Sequence, residues 1–224
     1  VLEKKQEKAY QIPFSCANST SIAERFLDPV LFSRAQLAVV NADVEVTEEI
    51  AQLVGSILDI QATSDQFFKS VHMWMPIISK PQFSRNLLNR LTYKRAELFL
   101  LVLSMKLSCS RGTAVNTPLY EIVKLFHFKL ENSGVLSVLV LQAAILIALY
   151  ELGHSIYPAA YLSVGSCARY GTALGIEKSI LSSSDTQYQW IEEEESRRIW
   201  WSILVLDRYV REHVQVAKCL LSFL

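Results

Sequence analysis

Apolar positions recur along most of this chain at spacings of three and four residues, the period of a helix with one covered face. Thr47-Glu48-Glu49 offers a hydroxyl cap followed by acids, and Ile50, Leu53, Val54, Ile57 and Leu58 then supply an apolar face. Ser64-Asp65 predicts a second start, carrying Phe67, Phe68, Val71, Trp74 and Met75 until Pro76 stops it. Pro81 fits the first turn of a short helix through Phe83, Leu87 and Leu88. Leu98 to Leu107 reads as a strongly apolar helix ending near Arg111-Gly112. Thr117-Pro118 opens the next, with Leu119, Ile122, Val123, Phe126 and Leu130 inward, and Asn132-Ser133-Gly134 breaks it. Val135 to Leu152 is a core helix capped by Gly153, and Ser155 to Leu174 follows, with Ser155 as its cap and Gly175 as its end. The last helix runs from Glu192 past Val210. No strand-like alternation and no fixed-period repeat occurs. The pattern predicts an all-α fold, roughly seven to nine helices bundled around one core with no sheet. Residues 1–45 read as an irregular segment or linker, and 46–224 as the helical domain.

Two of these segments show a finer pattern. Ala160, Val164, Ala168 and Gly171 make a stripe of small residues, which lets two helices approach closely. In the last helix, Trp200, Leu204 and Asp207 share a face, as do Ile199, Ile203, Leu206 and Val210, while Trp201, Val205 and Arg208 form a third row. A helix apolar on most sides is expected to be central, and buried charge survives there only when paired. Glu195, Arg197, Arg198, Asp207 and Arg208, with Arg169 from the preceding helix, are therefore expected to form an inter-helical ionic network around Trp200 and Trp201. On that expectation Asp207→Ala costs about 3–5 kcal/mol.

Composition sharpens the class. Hydrophobic residues make up 51% of 224, with only 7 Gly and 6 Pro, which suits long helices and short loops. The 22 basic residues are balanced by 22 acidic ones, so the chain lacks the basic excess of a DNA-contacting domain. Cys16, Cys109, Cys167 and Cys219 are scattered, without metal-ligand spacing; free thiols of this kind suit a reducing, intracellular compartment. The opening Val1-Leu2-Glu3-Lys4-Lys5 is charged, unlike a signal peptide, and without an initial Met the chain is expected to be a piece of a longer one. Without a secretory signal, the sequon Asn18-Ser19-Thr20 has little weight. The apolar run Val135 to Tyr150 is shorter than the ~20 residues of a membrane span and holds Ser137 and Gln142, so it reads as a buried helix.

No catalytic constellation emerges. His72, His127, His154 and His213 stand apart, with no His-x-x-x-His pair for a helical zinc site. Gly153-His154-Ser155-Ile156-Tyr157 echoes a hydrolase nucleophile elbow, but Tyr157 replaces its second glycine and no strand precedes it. The run Glu192 to Glu195 is explained by a helix start, where acids complement the dipole, with Glu194 facing Arg197 or Arg198. An enzyme would need acids, His or metal ligands converging in one cleft.

Three blocks in order then resemble the fungal-specific transcription factor domain, the middle regulatory region of binuclear zinc-cluster activators. The first is Phe67-Phe68, Val71-His72, Pro76-Ile77-Ile78 and Phe83. The second is Ala168-Arg169-Tyr170-Gly171-Thr172-Ala173-Leu174-Gly175-Ile176, and the third runs from Glu195 through Arg197-Arg198 and Trp200-Trp201 to Asp207-Arg208. Ser196 stands where the family usually has a basic residue, and the tail after Tyr209 departs from its pattern, so the domain is expected to be C-terminally incomplete. The resemblance implies a non-catalytic, nuclear regulator of RNA polymerase II transcription. Its DNA is read by a separate N-terminal cluster in which six cysteines hold two zinc ions. This chain lacks that cluster, so neither zinc nor DNA contact is assigned to any of its residues, and no cofactor is expected. Implied partners are the transcription machinery or co-regulators, a small-molecule inducer, and a second copy of the chain, but no membrane. The alternative is an α-helical scaffold or adaptor without a DNA-linked role; an upstream cysteine-rich, basic segment would separate the two.

Overall fold

Gly55 decides where the first helix stops. In a computed structural model, residues 44–90, 96–110, 117–176 and 187–221 are described, with side chains for 44–87, 96–110, 117–176 and 192–212. All of them belong to one compact unit, Leu37–Leu224. Helix α1, Glu48–Val54, ends at Gly55, whose φ of 80° favours a residue without a side chain. Thr47 precedes it in extended conformation, but its hydroxyl makes no capping bond. Ser56 opens α2, Ile57–Lys69, through a capping box: its Oγ accepts the Asp59 N–H at 3.3 Å, and Asp59 Oδ2 accepts the Ser56 N–H at 2.8 Å. The expected start at Ser64-Asp65 is thereby corrected, because those residues lie inside α2. Ile57 and Leu58, expected to face inward from the first helix, are exposed on the second.

A 3-10 turn, Val71–Met73, buries Val71, and Met75 beyond it is buried too. Trp74 between them is exposed, unlike Phe67, Phe68, Val71 and Met75 of the same expected helix. Helices α3, Lys80–Arg90, and α4, Ala96–Cys109, follow. Thr117 caps α5, Pro118–Asn132, by accepting the Tyr120 N–H at 3.3 Å, with proline in the first turn. Ser137 caps α6, Val138–Gly153, so Val135 and Leu136 precede the helix instead of starting it. The turn after α6 is made by Ser155, with a φ of 54°, and not by Gly153. Helix α7, Ala159–Ala173, therefore begins after Pro158 and is not capped by Ser155. Gly175, at φ 72°, follows its end as expected. The last helix, α8, spans Gln187–Leu221. The expected break near Arg111-Gly112 and the segment before Val44 lie outside the described residues.

The described residues thus form eight α-helices and one 3-10 turn, with no strand. Helices α4 and α6 are buried nearly all round: Leu100, Leu101, Leu103 and Met105 share one core with Val140, Leu141, Ile145 and Leu146. Around this pair, α2 and α5 pack on α4, α7 packs on α6, and α8 packs on α7 and α6. The central posts are α4 and α6; the tryptophan-bearing α8 is a flanking helix, contrary to expectation. Among the described residues no helix is long and apolar enough to cross a membrane.

Candidate functional site

Along α8 the residues Glu195, Ile199, Ile203, Leu206 and Val210 make one buried row. This is the i, i+4 geometry of a single helical face, and it meets α6 and α7. Trp200 lies beside this row, partly buried over Gly171 of α7. A Cβ added at Gly171 would stand 3.3 Å from Trp200 Cζ3 and 3.4 Å from Ile203 Cδ1. The small-residue stripe therefore does what its composition suggested: it admits the indole between two helices. Ala160, Val164 and Gly171 of that stripe are buried, and Ala168 is half-buried.

The other side of α8 is open. Trp201 is 60% exposed, and Leu204, Val205, Arg208 and Tyr209 are exposed with it. The ionic residues expected to bridge helices pair instead along α8 itself. Glu194 accepts from Arg197 Nη1 at 2.7 Å and from Arg198 Nε at 2.9 Å, and Asp207 accepts from Arg211 Nη2 at 2.9 Å. Arg169 on α7 is exposed, and among the described residues neither it nor Arg208 has an ion pair. The inter-helical network around the tryptophans is therefore corrected. Long basic side chains at a solvated face reach local carboxylates at i−3 and i−4 with less ordering than a cross-helix pair needs.

Of the residues expected in that network, Glu195 is the one that bonds to other elements among the described residues. It is 9% exposed, and its Oε1 accepts the backbone N–H of Ser79, before α3, at 2.9 Å. The same oxygen accepts Gln142 Nε2 of α6 at 2.8 Å, and that nitrogen also donates to Ile77 O at 2.9 Å. Burial raises the Glu195 carboxyl above its ordinary value; the bonds from Ser79 and Gln142 oppose this. Nearby, burial and then the charges of Arg198 and Lys80 hold the His72 imidazole below its ordinary value. Helix α8 starts at Gln187, so Glu192 to Glu195 stand a turn inside it rather than at its beginning.

A second polar node lies in the core. Glu151 on α6 is fully buried, and its Oε1 accepts Lys124 Nζ at 2.6 Å and Tyr120 Oη at 2.7 Å, both from α5. Lys124 also reaches Ser163 Oγ of α7 at 2.6 Å, so three helices meet there. Burial, then the bond to Glu151, push the Tyr120 phenol far above its usual range. Sequence reasoning missed Gln142, Glu151, Lys124 and Tyr120 as site residues. The available signal was a polar side chain inside the unbroken apolar run of α6, which must find a partner when buried.

An apolar groove of about 420 Å³ opens between the 3-10 turn, the end of α6 and the outer face of α8, lined by Trp74, Tyr150, His154, Val205 and Tyr209. No group of His, Cys, Asp or Glu among the described residues could hold a metal. Burial raises the Cys109 thiol and pushes the Cys167 thiol up to about 12, so neither is a ready thiolate ligand. The described cysteines do not fit a two-zinc cluster. Ser155, the centre of the elbow-like sequence, is an exposed turn residue; His154 Nδ1 lies 2.9 Å from Tyr150 O of the same helix end.

The described residues form an all-helical bundle with paired tryptophans on α8. The profile of the fungal specific transcription factor domain matches residues 64–211, and the chain belongs to that family. Transcription factor BOA15 of Botryotinia fuckeliana (strain B05.10) is 39% identical over 153 residues, which cover 66% of this chain and 85% of that protein. No solved structure matches. The chain is thus a non-catalytic regulatory domain of the fungal transcription factor type, and its partners are those of transcription.

Proposed function

We propose that this domain couples the binding of an inducer or a co-regulator to transcriptional control in the nucleus. We assign the reading of DNA to no residue of this 224-residue stretch. One observation carries the reading: α8 buries a single row against α6 and α7 while Trp201, Leu204, Val205 and Tyr209 stay uncovered. Large apolar side chains gathered uncovered on one side of a helix support a surface that meets something else. Coupling requires that the bound species prefer one arrangement of α8 over another, since equal affinity for both would shift nothing.

The test tethers the whole chain to an unrelated DNA-binding domain and reads a reporter in a fungal host. The tethered chain should change reporter output several-fold, and Trp201→Ser with Val205→Ser should return it to the level of the DNA-binding domain alone. A tethered chain without effect, or one kept out of the nucleus when fluorescently tagged, rejects the reading in favour of a scaffold or adaptor.

A further inference from the structure

A second groove, of about 340 Å³, lies between α5 and α7, and none of its lining comes from α8. Ala144 and Ile147 of α6 are buried at its base, while Leu125, Phe128 and Leu162 stand exposed along its rims. Its volume is at the small end of the range for pockets that take an organic molecule. Lys124 and Ser163 also line it. An ammonium carries three N–H donors and accepts nothing. Lys124 Nζ donates to Glu151 Oε1 at 2.6 Å and to Ser163 Oγ at 2.6 Å, so among the described residues its third N–H has no acceptor. Because Ser163 Oγ receives that bond, its own hydrogen is turned elsewhere, and it too meets no acceptor among the described residues. The Lys124 side chain is 36% exposed and Ser163 is half-buried, so both donors are open to a bound molecule.

The charge around these donors decides what can answer them. Glu151 already matches the Lys124 cation, and Glu131, whose carboxylate accepts Ser166 Oγ at 3.1 Å, adds a negative charge to the lining. Burial, more than any neighbouring charge, holds the His127 imidazole below its ordinary value, so it brings no second cation at neutral pH. A ligand carboxylate would therefore find one ammonium already matched and two carboxylates opposing it. A neutral oxygen acceptor meets no such conflict. Lys124 Nζ and Ser163 Oγ stand 2.6 Å apart, close enough for one oxygen with two lone pairs to accept from both. A carbonyl supplies that oxygen and, unlike a hydroxyl, adds no further donor. We propose that this groove binds a small, uncharged, largely apolar molecule that carries a carbonyl. The carbonyl oxygen accepts from Lys124 and Ser163, and the carbon skeleton lies on Ile147 between Phe128 and Leu162. The site shares no residue with the α8 surface, so it takes the inducer reading further by naming a chemical class and a separate place for it.

The probe is 2-heptanone, with sodium heptanoate as its anionic counterpart, titrated into the whole chain at constant ionic strength while the methyl signals of Ile147 and Leu162 are followed by NMR. So small a fragment binds in the millimolar range at best. The ketone should shift both signals saturably, and heptanoate should bind about tenfold more weakly. Ser163→Ala removes one donor, leaves the Lys124–Glu151 pair in place, and should weaken the ketone about fivefold. Leu162→Ser, at an exposed rim position, should weaken it about threefold without threatening the fold. Leu58→Ser, an exposed apolar position on α2 outside the lining, should leave it unchanged. A parent chain that gives no saturable shift, heptanoate that binds as well as the ketone, or full affinity in Ser163→Ala overturns the assignment; the two donors are then served by water alone. A null titration would leave the reporter result standing, and a silent reporter would leave the titration standing.

Discussion

Replacing Lys124 by methionine should be among the most damaging single changes in this chain, and a second mutation should repair part of it. Glu151 is 0% exposed and, among the described residues, accepts from Lys124 and Tyr120 alone. Lys124→Met leaves the carboxylate buried with one neutral donor, which costs about 3–5 kcal/mol by the penalty for an uncompensated buried charge. The low end applies, because the Lys124 side chain is 36% exposed and part of its attraction is screened. Glu151→Gln is milder: the amide oxygen still accepts from Tyr120, and the ammonium keeps Ser163 and its route to water, so about 1–2 kcal/mol is lost. With both changes made, no charge remains to be buried. Lys124→Met/Glu151→Gln should therefore be more stable than Lys124→Met alone, by about 2 kcal/mol. Urea denaturation followed by circular dichroism gives the midpoints, and an unchanged slope licenses their comparison. If Lys124→Met costs less than about 1 kcal/mol, or the double variant is no better than it, Glu151 is not a dry, charged group.

Three further outcomes follow from the geometry. Gly171→Leu pushes a side chain into Trp200 and Ile203 and should cost about 1–3 kcal/mol, seen as a lower midpoint, whereas Gly171→Ala should stay near zero as helix propensity offsets the tight contact. Asp207→Ala should change stability by no more than about 0.5 kcal/mol, because its partner Arg211 is a solvated i, i+4 neighbour; a loss near 3 kcal/mol would restore the buried network. Burial disfavours the Glu195 anion, so the unfolded chain gives up that proton first. Stability should fall as pH rises from the ordinary value of 4.5 towards the raised folded value and level off above it. Glu195→Gln should remove that slope from midpoints measured across the acid range, and a slope that persists unchanged in the variant would refute the cause.

Much of the architecture is legible in the sequence because α4 and α6 announce themselves through long apolar runs, and α5 through an apolar period and its Thr117-Pro118 cap. The first boundary is misplaced because Ser64-Asp65 resembles a start, whereas Ser56 and Asp59 satisfy each other's backbone bonds just after Gly55. The greater error concerns α8. Two apolar rows on one helix look the same in sequence whether both are covered or one is left for a partner, so a flanking helix reads as a central one. Row arithmetic nonetheless separates its residues: Glu195 falls in register with Ile199, Ile203, Leu206 and Val210, while Arg198, Trp201, Val205 and Arg208 fall opposite. Glu195 is among the sequence candidates, but its partners are not, since Ser79 and Gln142 are distant along the chain and only the tertiary packing brings them within reach.

The adjacency of Trp200 and Trp201 gives the molecule an optical readout of its own. One indole sits against Gly171 between two helices, and its neighbour faces water. Anything that settles on the outer side of α8 dehydrates the second ring while leaving the first in place, so docking there should register as a blue shift in unlabelled fluorescence. Substituting Trp201 with phenylalanine would remove its share of that signal and separate it from the share of Trp74, which is exposed on the groove beside α8.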